Sequence, residues 1–253
     1  MDGEAALFSK RCRELALRAA HSGRPQFTRF LDPALLPVAR RIAGECGVDC
    51  AVYGGYPDAE RVMAAYYDGI APEPGEYPMV ALRLTWNQKF AHPAHRDLLG
   101  SVMGLGIERE TLGDIALGRW RNAPCAWLFA AAEMADYIAA NLDSAGRASL
   151  KVEPTWDTPE IAPPEGTQLR VTVQTPRLDA VLAAGYHLSR AEAQRLIAAG
   201  LVKLNHLPCL HTDARCEPGD LISARGLGRL KVLEALGESR RGRLVLTLFR
   251  FGG

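Results

Sequence analysis

The sequence predicts a mixed α/β (α+β) protein built from three consecutive units, at 1–92, 93–175 and 176–253. Three observations carry that expectation. The chain has 253 residues, more than one small hydrophobic core usually organises. Helical periodicity alternates with short strand-like runs before a Pro-rich stretch at Pro154–Gly166, as in packed helix-and-sheet layers. Charge is also sorted along the chain. The net charge is only +1, yet residues 177–253 hold 12 Lys and Arg against 7 Asp and Glu, while the rest holds 18 against 22. A cationic segment beside an acidic remainder points to a polyanionic partner, although five surplus charges also suit a solvated face.

In the first unit, Phe8, Cys12, Leu15 and Ala19 recur at helical spacing within residues 4–21. Phe27–Pro33 (FTRFLDP) breaks the pattern, and Pro33–Ala43 reads as a second helix. A short strand at Cys50–Tyr53 runs into Gly54-Gly55, Asp58–Tyr66 resumes helical character, and Met79–Trp86 alternates as a strand. In the second unit Arg96–Leu105 is helical, and Glu108–Leu117 is a helix or a turn. Pro124–Ala130 is an apolar strand, Ala132–Leu142 a helix and Ser149–Glu153 a strand, which suits a small plait with helices on one face. Four prolines mark Pro154–Gly166 as loop or linker, and Leu169–Val173 alternates as a strand able to close the plait.

The third unit opens with a short helix carrying Leu178, Val181 and Leu182 and ended by Gly185. Ser189 followed by Glu192 forms a capping box for a second helix, which Gly200 stops. Strands follow at Val202–Leu204, near Leu221–Ala224 and at Leu244–Phe251, with a turn at Asn205-His206.

Composition narrows the class. With 48% apolar and 23% charged residues the chain is ordinary globular protein. No apolar run approaches the ~20 residues of a membrane span. The acidic opening Met1-Asp2-Gly3-Glu4 does not suit a secretory signal, and six scattered cysteines suit reduced thiols. A soluble, monomeric cytoplasmic protein without cofactor or metal is expected.

The stretch from Arg177 to Gly226 resembles the alpha-L RNA-binding motif named for ribosomal protein S-four. It does so through Arg177-Leu178-Asp179, Ser189-Arg190, Ala193, Ile197, Gly200, Val202, Asn205, Pro218-Gly219-Asp220 and Ile222. The resemblance implies that the second helix offers Arg190 and Gln194 one turn apart, beside a hairpin offering Lys203, Asn205 and Arg225. Such a concave basic surface tracks RNA phosphates and 2′-hydroxyls. Taken singly, Arg190 is equally a solvated helix residue, Asp179 a helix cap and Asn205 a turn residue. Beyond the motif, Arg225-Gly226-Leu227-Gly228-Arg229-Leu230-Lys231 and Arg240-Arg241-Gly242-Arg243 combine glycines that admit a phosphate with cations that neutralise it.

The whole chain is similar to the bacterial YlmH family, through FLDP (Phe30–Pro33), GGYPDAER (Gly54–Arg61) and HRDLLGSVMGLGIERETLGDI (His95–Ile115). That resemblance implies an RRM-like, RNA-binding middle unit and association with the large ribosomal subunit. It also implies rRNA and a further partner in peptidyl-tRNA, a role in rescuing stalled translation, and a genomic link to cell division. Within His95–Ile115, charges alternate with glycines, so Arg96 and Arg109 either join an ion-pair lattice or form a second RNA surface.

Several other patterns fail on context. His95-Arg96-Asp97-Leu98 lacks the companions of a kinase loop, and Gly104-Leu105-Gly106 lacks the strand and third glycine of a dinucleotide site. Arg177-Leu178-Asp179 is similar to a pseudouridine-synthase motif but lies inside the alpha-L stretch. His206, Cys209, His211 and Cys216 lack zinc-ribbon spacing. Two rival functions remain. One is an RNA-modifying enzyme, such as a pseudouridine synthase, using Glu60, Asp97 and Asp114; the other is a cell-division adaptor.

Overall fold

The structure, a computed structural model, describes residues 2–157, 159–239 and 242–252. The chain forms two compact units, Met1–Ala162 and Pro163–Gly253. The N-terminal unit opens with α1 (Asp2–Ser22), β1 (Gln26–Leu31), α2 (Leu36–Cys46), β2 (Asp49–Tyr53) and β3 (Val62–Tyr67). The three strands form an antiparallel sheet in the order β1-β3-β2. Helix α1 buries Cys12, Ala16 and Ala19 on this sheet beside Ala39 and Ile42 of α2. The turn before α2 begins where Asp32 accepts the Ala34 N–H (2.9 Å), and the helix ends at Gly47 in the left-handed region (φ 71°).

Strand β3 overturns the helical expectation for Asp58–Tyr66. Ala64 and Tyr66 pack toward the helices, while Met63 and Ala65 face the other way into a second apolar layer. A strand buried on both faces carries no polar alternation, so its run of apolar residues shows no strand period.

The second layer is the plait: β4 (Met79–Trp86), α3 (His95–Gly104), β5 (Leu112–Trp120), β6 (Ala123–Ala131), α4 (Ala135–Asn141), β7 (Ser144–Ala145), β8 (Ala148–Thr155) and β9 (Glu160–Ile161). Its sheet is antiparallel in the order β7-β8-β4-β6-β5-β9. The inner four strands have the split βαββαβ connection. Three expectations change here. Met79–Trp86, placed at the end of the first unit, is a central plait strand bonded to both β6 and β8, so a boundary at 92/93 does not separate the two sheets. Glu108–Leu117 makes one 3-10 turn at Arg109–Thr111 and then becomes strand β5. Leu169–Val173 does not close the plait, whose outer strands already pair with β7 and β9.

Helices α3 and α4 cover one plait face, where Leu82, Leu84, Leu98, Leu128 and Ile138 are fully buried. The other face lies on the three-stranded sheet, with Trp127 and Phe129 packed against Phe30, Met63 and Tyr77. The N-terminal unit is thus four layers, helix, sheet, sheet and helix. Close approach of the two sheets depends on glycine. A Cβ on Gly55 (φ 97°) would overlap the Phe129 ring, and one on Gly113 would sit 2.7 Å from Phe30 Cε1.

A β-bulge between Leu112 and Ile115 aims Asp114 out of the plait. Asp114 accepts the Glu60 N–H (2.7 Å) and the Tyr56 hydroxyl (3.0 Å). Desolvation raises its pKa, partly opposed by those donors. Buried Arg61 reaches the other way, donating to the carbonyls of Leu112 (2.8 Å), Phe30 (3.2 Å) and Arg109 (3.0 Å). The GGYPDAER and ERETLGDI segments therefore clasp the two sheets together.

The C-terminal unit contains β10 (Gly166–Val173), α5 (Leu178–Tyr186), α6 (Arg190–Ala198), β11 (Val202–Leu204), β12 (Leu207–Pro208), β13 (Leu221–Ala224), β14 (Gly228–Glu238) and β15 (Leu244–Phe251). Its sheet runs β10-β15-β14-β13-β11-β12. Helices α5 and α6 bury Leu178, Val181, Leu182 and Ile197 against Leu230 and Leu248. The expected capping box forms: Glu192 N–H donates to Ser189 Oγ (3.2 Å), and Ser189 N–H donates to Glu192 Oε2 (2.8 Å). Gly185 does not end α5. A Cβ there would overlap Leu230, so this glycine serves packing, and the helix ends at His187 in the left-handed region (φ 56°). Asn205 and His206 form a turn with both φ positive (48° and 69°).

All four tryptophans lie in the N-terminal unit, so their fluorescence reports its unfolding. Gly55→Ala should destabilise that unit by more than about 2 kcal/mol, through overlap with Phe129 and a strained backbone. Gly44→Ala, in the exposed face of α2 with open space around it, should stabilise the unit by about 0.5–1 kcal/mol. Equal thermal midpoints for the two variants would contradict the assignment of Gly55 to the sheet contact.

Candidate nucleic-acid interface

The start of α5 sets a carboxylate into the core of the C-terminal unit. Asp179 has 0% exposure, and its backbone N–H donates to the Thr212 carbonyl (3.1 Å). Burying a carboxylate is costly unless its lone pairs find donors. Asp179 Oδ2 accepts from Arg190 Nη2 (2.7 Å) and Gln194 Nε2 (2.9 Å), and Oδ1 accepts from Arg177 Nε (3.3 Å). Burial pushes the pKa of Asp179 up, but these donors outweigh it and hold the carboxyl below its ordinary range. The two arginines remain 39% and 49% exposed, so each keeps guanidinium surface facing solvent. One buried anion thereby gathers three sequence-predicted residues, Arg177, Arg190 and Gln194, in fixed orientations beside the capped N-terminus of α6. Ser189 is that cap.

The other predicted residues are elsewhere. Asn205 braces the hairpin turn: its Nδ2 donates to Asp220 Oδ1 (2.7 Å), and its Oδ1 accepts the Leu221 N–H (2.9 Å). Lys203 lies between Val202 and Leu204, which face the helices, so it projects from the opposite side of the sheet. Strand alternation thus places Lys203 on the sheet face away from the helix that carries Arg190. Arg225 is exposed in the turn after β13, while Arg229 and Lys231, expected in a glycine-rich loop, are on strand β14. Arg243 is exposed and donates to the Thr172 carbonyl (3.5 Å). Arg240 and Arg241 lie outside the described residues.

In the plait, Arg96 is exposed on α3 and only loosely paired with Asp97 (3.9 Å). Arg109 is exposed and donates to the carbonyls of Leu112 (3.0 Å) and Gly113 (3.2 Å). Partial desolvation of its guanidinium lowers the pKa of Arg109, opposed by Asp114 and Asp32. The neighbouring Glu108 and Glu110 both bind Arg29, 2.5 and 2.6 Å away, so much of this segment is an ion-pair lattice. On the helix-free plait face Trp127 and Phe129 are covered by the N-terminal sheet, which removes these two rings as stacking platforms for bases.

The rival enzymatic residues are engaged structurally in part: Asp97 accepts the Ala94 N–H (2.9 Å) at the start of α3, and Asp114 holds the sheet clasp. Among the described residues no three His, Cys, Asp or Glu are grouped to hold a metal. Cys216 is buried, which pushes its thiol up to about 12. The residue missing from the sequence-based site is Asp179 itself. Its signal is an acid at the second position of a helix inside an otherwise cationic segment.

Asp179 gives a pH dependence of defined sign. Its pKa is lower folded than unfolded, so its stabilisation is complete above the unfolded value of about 3.9 and is lost as pH falls through the native value. At neutral pH, Asp179→Asn should destabilise the C-terminal unit by about 2 kcal/mol, the cost of mismatched donors around a buried group. Urea unfolding followed through amide exchange in α5 and α6 checks this. The difference between wild type and variant should shrink below about pH 3.9, and a difference that grows on acidification would contradict the assignment.

Comparison with known proteins places these features. Residues 72–158 match the family described as "Putative RNA-binding domain in YlmH", and residues 176–222 match the S4 domain. The ribosome-associated protein quality control protein P2 of Bacillus subtilis is 32% identical over 229 residues, covering 90% of this chain and 88% of its own. A solved structure, the cell division protein ylmH from Streptococcus pneumoniae, overlaps 60% of this chain and 91% of its own, with a TM-score of 0.48 and 23% identity. The first domain match spans the plait from β4 to β8, and the second spans the Asp179 cluster, α6 and the hairpin. With these domain matches and 32% identity to the Bacillus subtilis protein over 90% of its length, this chain belongs to the YlmH family.

Proposed function

We propose that the protein is a non-catalytic RNA-binding factor of the bacterial cytoplasm that docks on ribosomal RNA of the large subunit. It would contact peptidyl-tRNA there and act in rescue or quality control of stalled translation. The observation carrying this reading is the Asp179 cluster. Two arginines and a glutamine are fixed by a buried carboxylate at the capped N-terminus of a helix, an arrangement suited to phosphate. Orientation is set before RNA arrives, so binding loses little side-chain entropy at the contact. The S4 and YlmH domain matches, and the ribosome-associated name of the Bacillus subtilis relative, support the same partner. Function then follows from geometry: the protein holds RNA elements in a set relation, with affinity dominated by phosphate contacts and steeply dependent on salt.

Arg190→Ala should weaken co-sedimentation with isolated large subunits by about tenfold and reduce the log–log salt slope by about 0.7–0.9, the share of one phosphate. Unaltered binding and slope would remove Arg190 from the interface. Maps of modified nucleotides in ribosomal and transfer RNA, compared with and without the gene, should be identical. A nucleotide lost without the gene would favour the RNA-modifying enzyme instead.

A further inference from the structure

Strand alternation sorts the C-terminal sheet into two faces. Leu230, Val232, Leu246 and Leu248 point to the helices and form the core. The opposite face has a different composition, and the strand register places its residues in rows. Lys203 lies opposite Ser223, and Ser223 opposite Arg229. In the next row Lys231 lies opposite Phe249, and Phe249 opposite Gln168. Arg170 follows, opposite Thr247. Phe249 and Phe251 are part-exposed, their ring centroids 5.0 Å apart at 88°, and the Arg229 guanidinium lies 4.7 Å from the Phe251 ring centre.

Gly166 explains how Phe249 is held. A Cβ at that position would overlap the Arg250 carbonyl oxygen and sit 2.6 Å from Phe249 Cζ, so glycine lets both the strand and the ring lie this close. A ring lying on a sheet keeps a π-face for stacking. Four cations, Lys203, Arg229, Lys231 and Arg170, share this face with the carboxylate of Glu234, which accepts from the Thr247 hydroxyl (3.3 Å). Two part-exposed aromatic rings are set among these cations. They match the combination that binds single-stranded nucleic acid, in which bases stack on rings and phosphates meet cations.

We infer that the helix-free face of the C-terminal sheet, centred on Phe249 and Phe251, is a stacking platform for unpaired RNA nucleotides. It is distinct from the Asp179 cluster. The inference rests on the RNA-binding reading above and adds a ligand class to it: the Asp179 cluster meets the backbone of structured RNA, and this face holds an adjoining unpaired segment.

The test uses the full chain and two labelled ten-nucleotide probes, oligouridine and an abasic strand with the same phosphates. Wild type should bind oligouridine about tenfold or more tightly than the abasic strand, the effect of at least one stacked base. The double variant Phe249→Leu, Phe251→Leu should lose that preference, and Phe249→Tyr, Phe251→Tyr should keep it. Equal affinity of wild type for the two probes, or a preference that survives in the leucine variant, overturns the platform. Should the leucine variant fail to fold, photocrosslinking of wild type with 4-thiouridine oligomers decides. Crosslinks within β14 and β15 support the inference, and crosslinks confined to other elements overturn it. Large-subunit binding by Arg190→Ala and by the leucine variant separates the two readings. Loss in the first alone leaves the Asp179 interface standing whatever the probes show, and no loss in the first means that interface has failed.

Discussion

A carboxylate with no exposure to water, Asp179, is the constraint around which the C-terminal unit is arranged. Left alone it would protonate or disrupt the core, because an uncompensated buried charge is costly. Its donors come from three places: the residue before α5, the first turn of α6 and the next turn of α6. Satisfying the anion therefore fixes the angle between the helices as well as the side chains. The result leaves two guanidinium groups partly exposed beside a helix N-terminus, where both local charge and the helix dipole favour phosphate. Fold stability and the proposed binding surface both follow from the same four side chains.

The N-terminal unit solves a different problem, which is to stack two sheets each already backed by helices. Large aromatics from the plait, Trp127 and Phe129, fill the space between the sheets, and glycines at Gly55 and Gly113 allow the approach. Asp114 and Arg61 then tie the loop before β3 to the bulge in β5 in both directions. The plait consequently spends its helix-free face on packing. The predicted cation Arg96 is exposed on a helix, so a contact with RNA through Arg96 would use a helix surface rather than the sheet.

Much of this is legible in the chain before its fold. The capping box at Ser189 and Glu192, the turn at Asn205-His206 and the alternation of β4 are local signals, and each forms where expected. The failures share a cause in tertiary packing. Strand β3 hides its period because both faces are buried. Strand β14 hides because its opening resembles a cationic glycine loop, and β10 reads as part of the wrong sheet because pairing partners 70 or more residues apart leave no local trace. At the site, Arg190 and Gln194 are readable from helical spacing. The separation of Lys203 from them is not, since it depends on which strand face the core claims. Asp179 is visible as a motif residue or a helix cap, but its role as a buried anion is not, because burial is a property of the folded unit.

The most direct test of the central claim is a cryo-EM reconstruction of the full chain bound to an isolated large ribosomal subunit. The Asp179 arrangement predicts density in which Arg177 and Arg190, at the N-terminal end of α6, lie against phosphates of ribosomal RNA. A complex in which that end of α6 faces solvent, with the protein held only through its N-terminal unit, would contradict it.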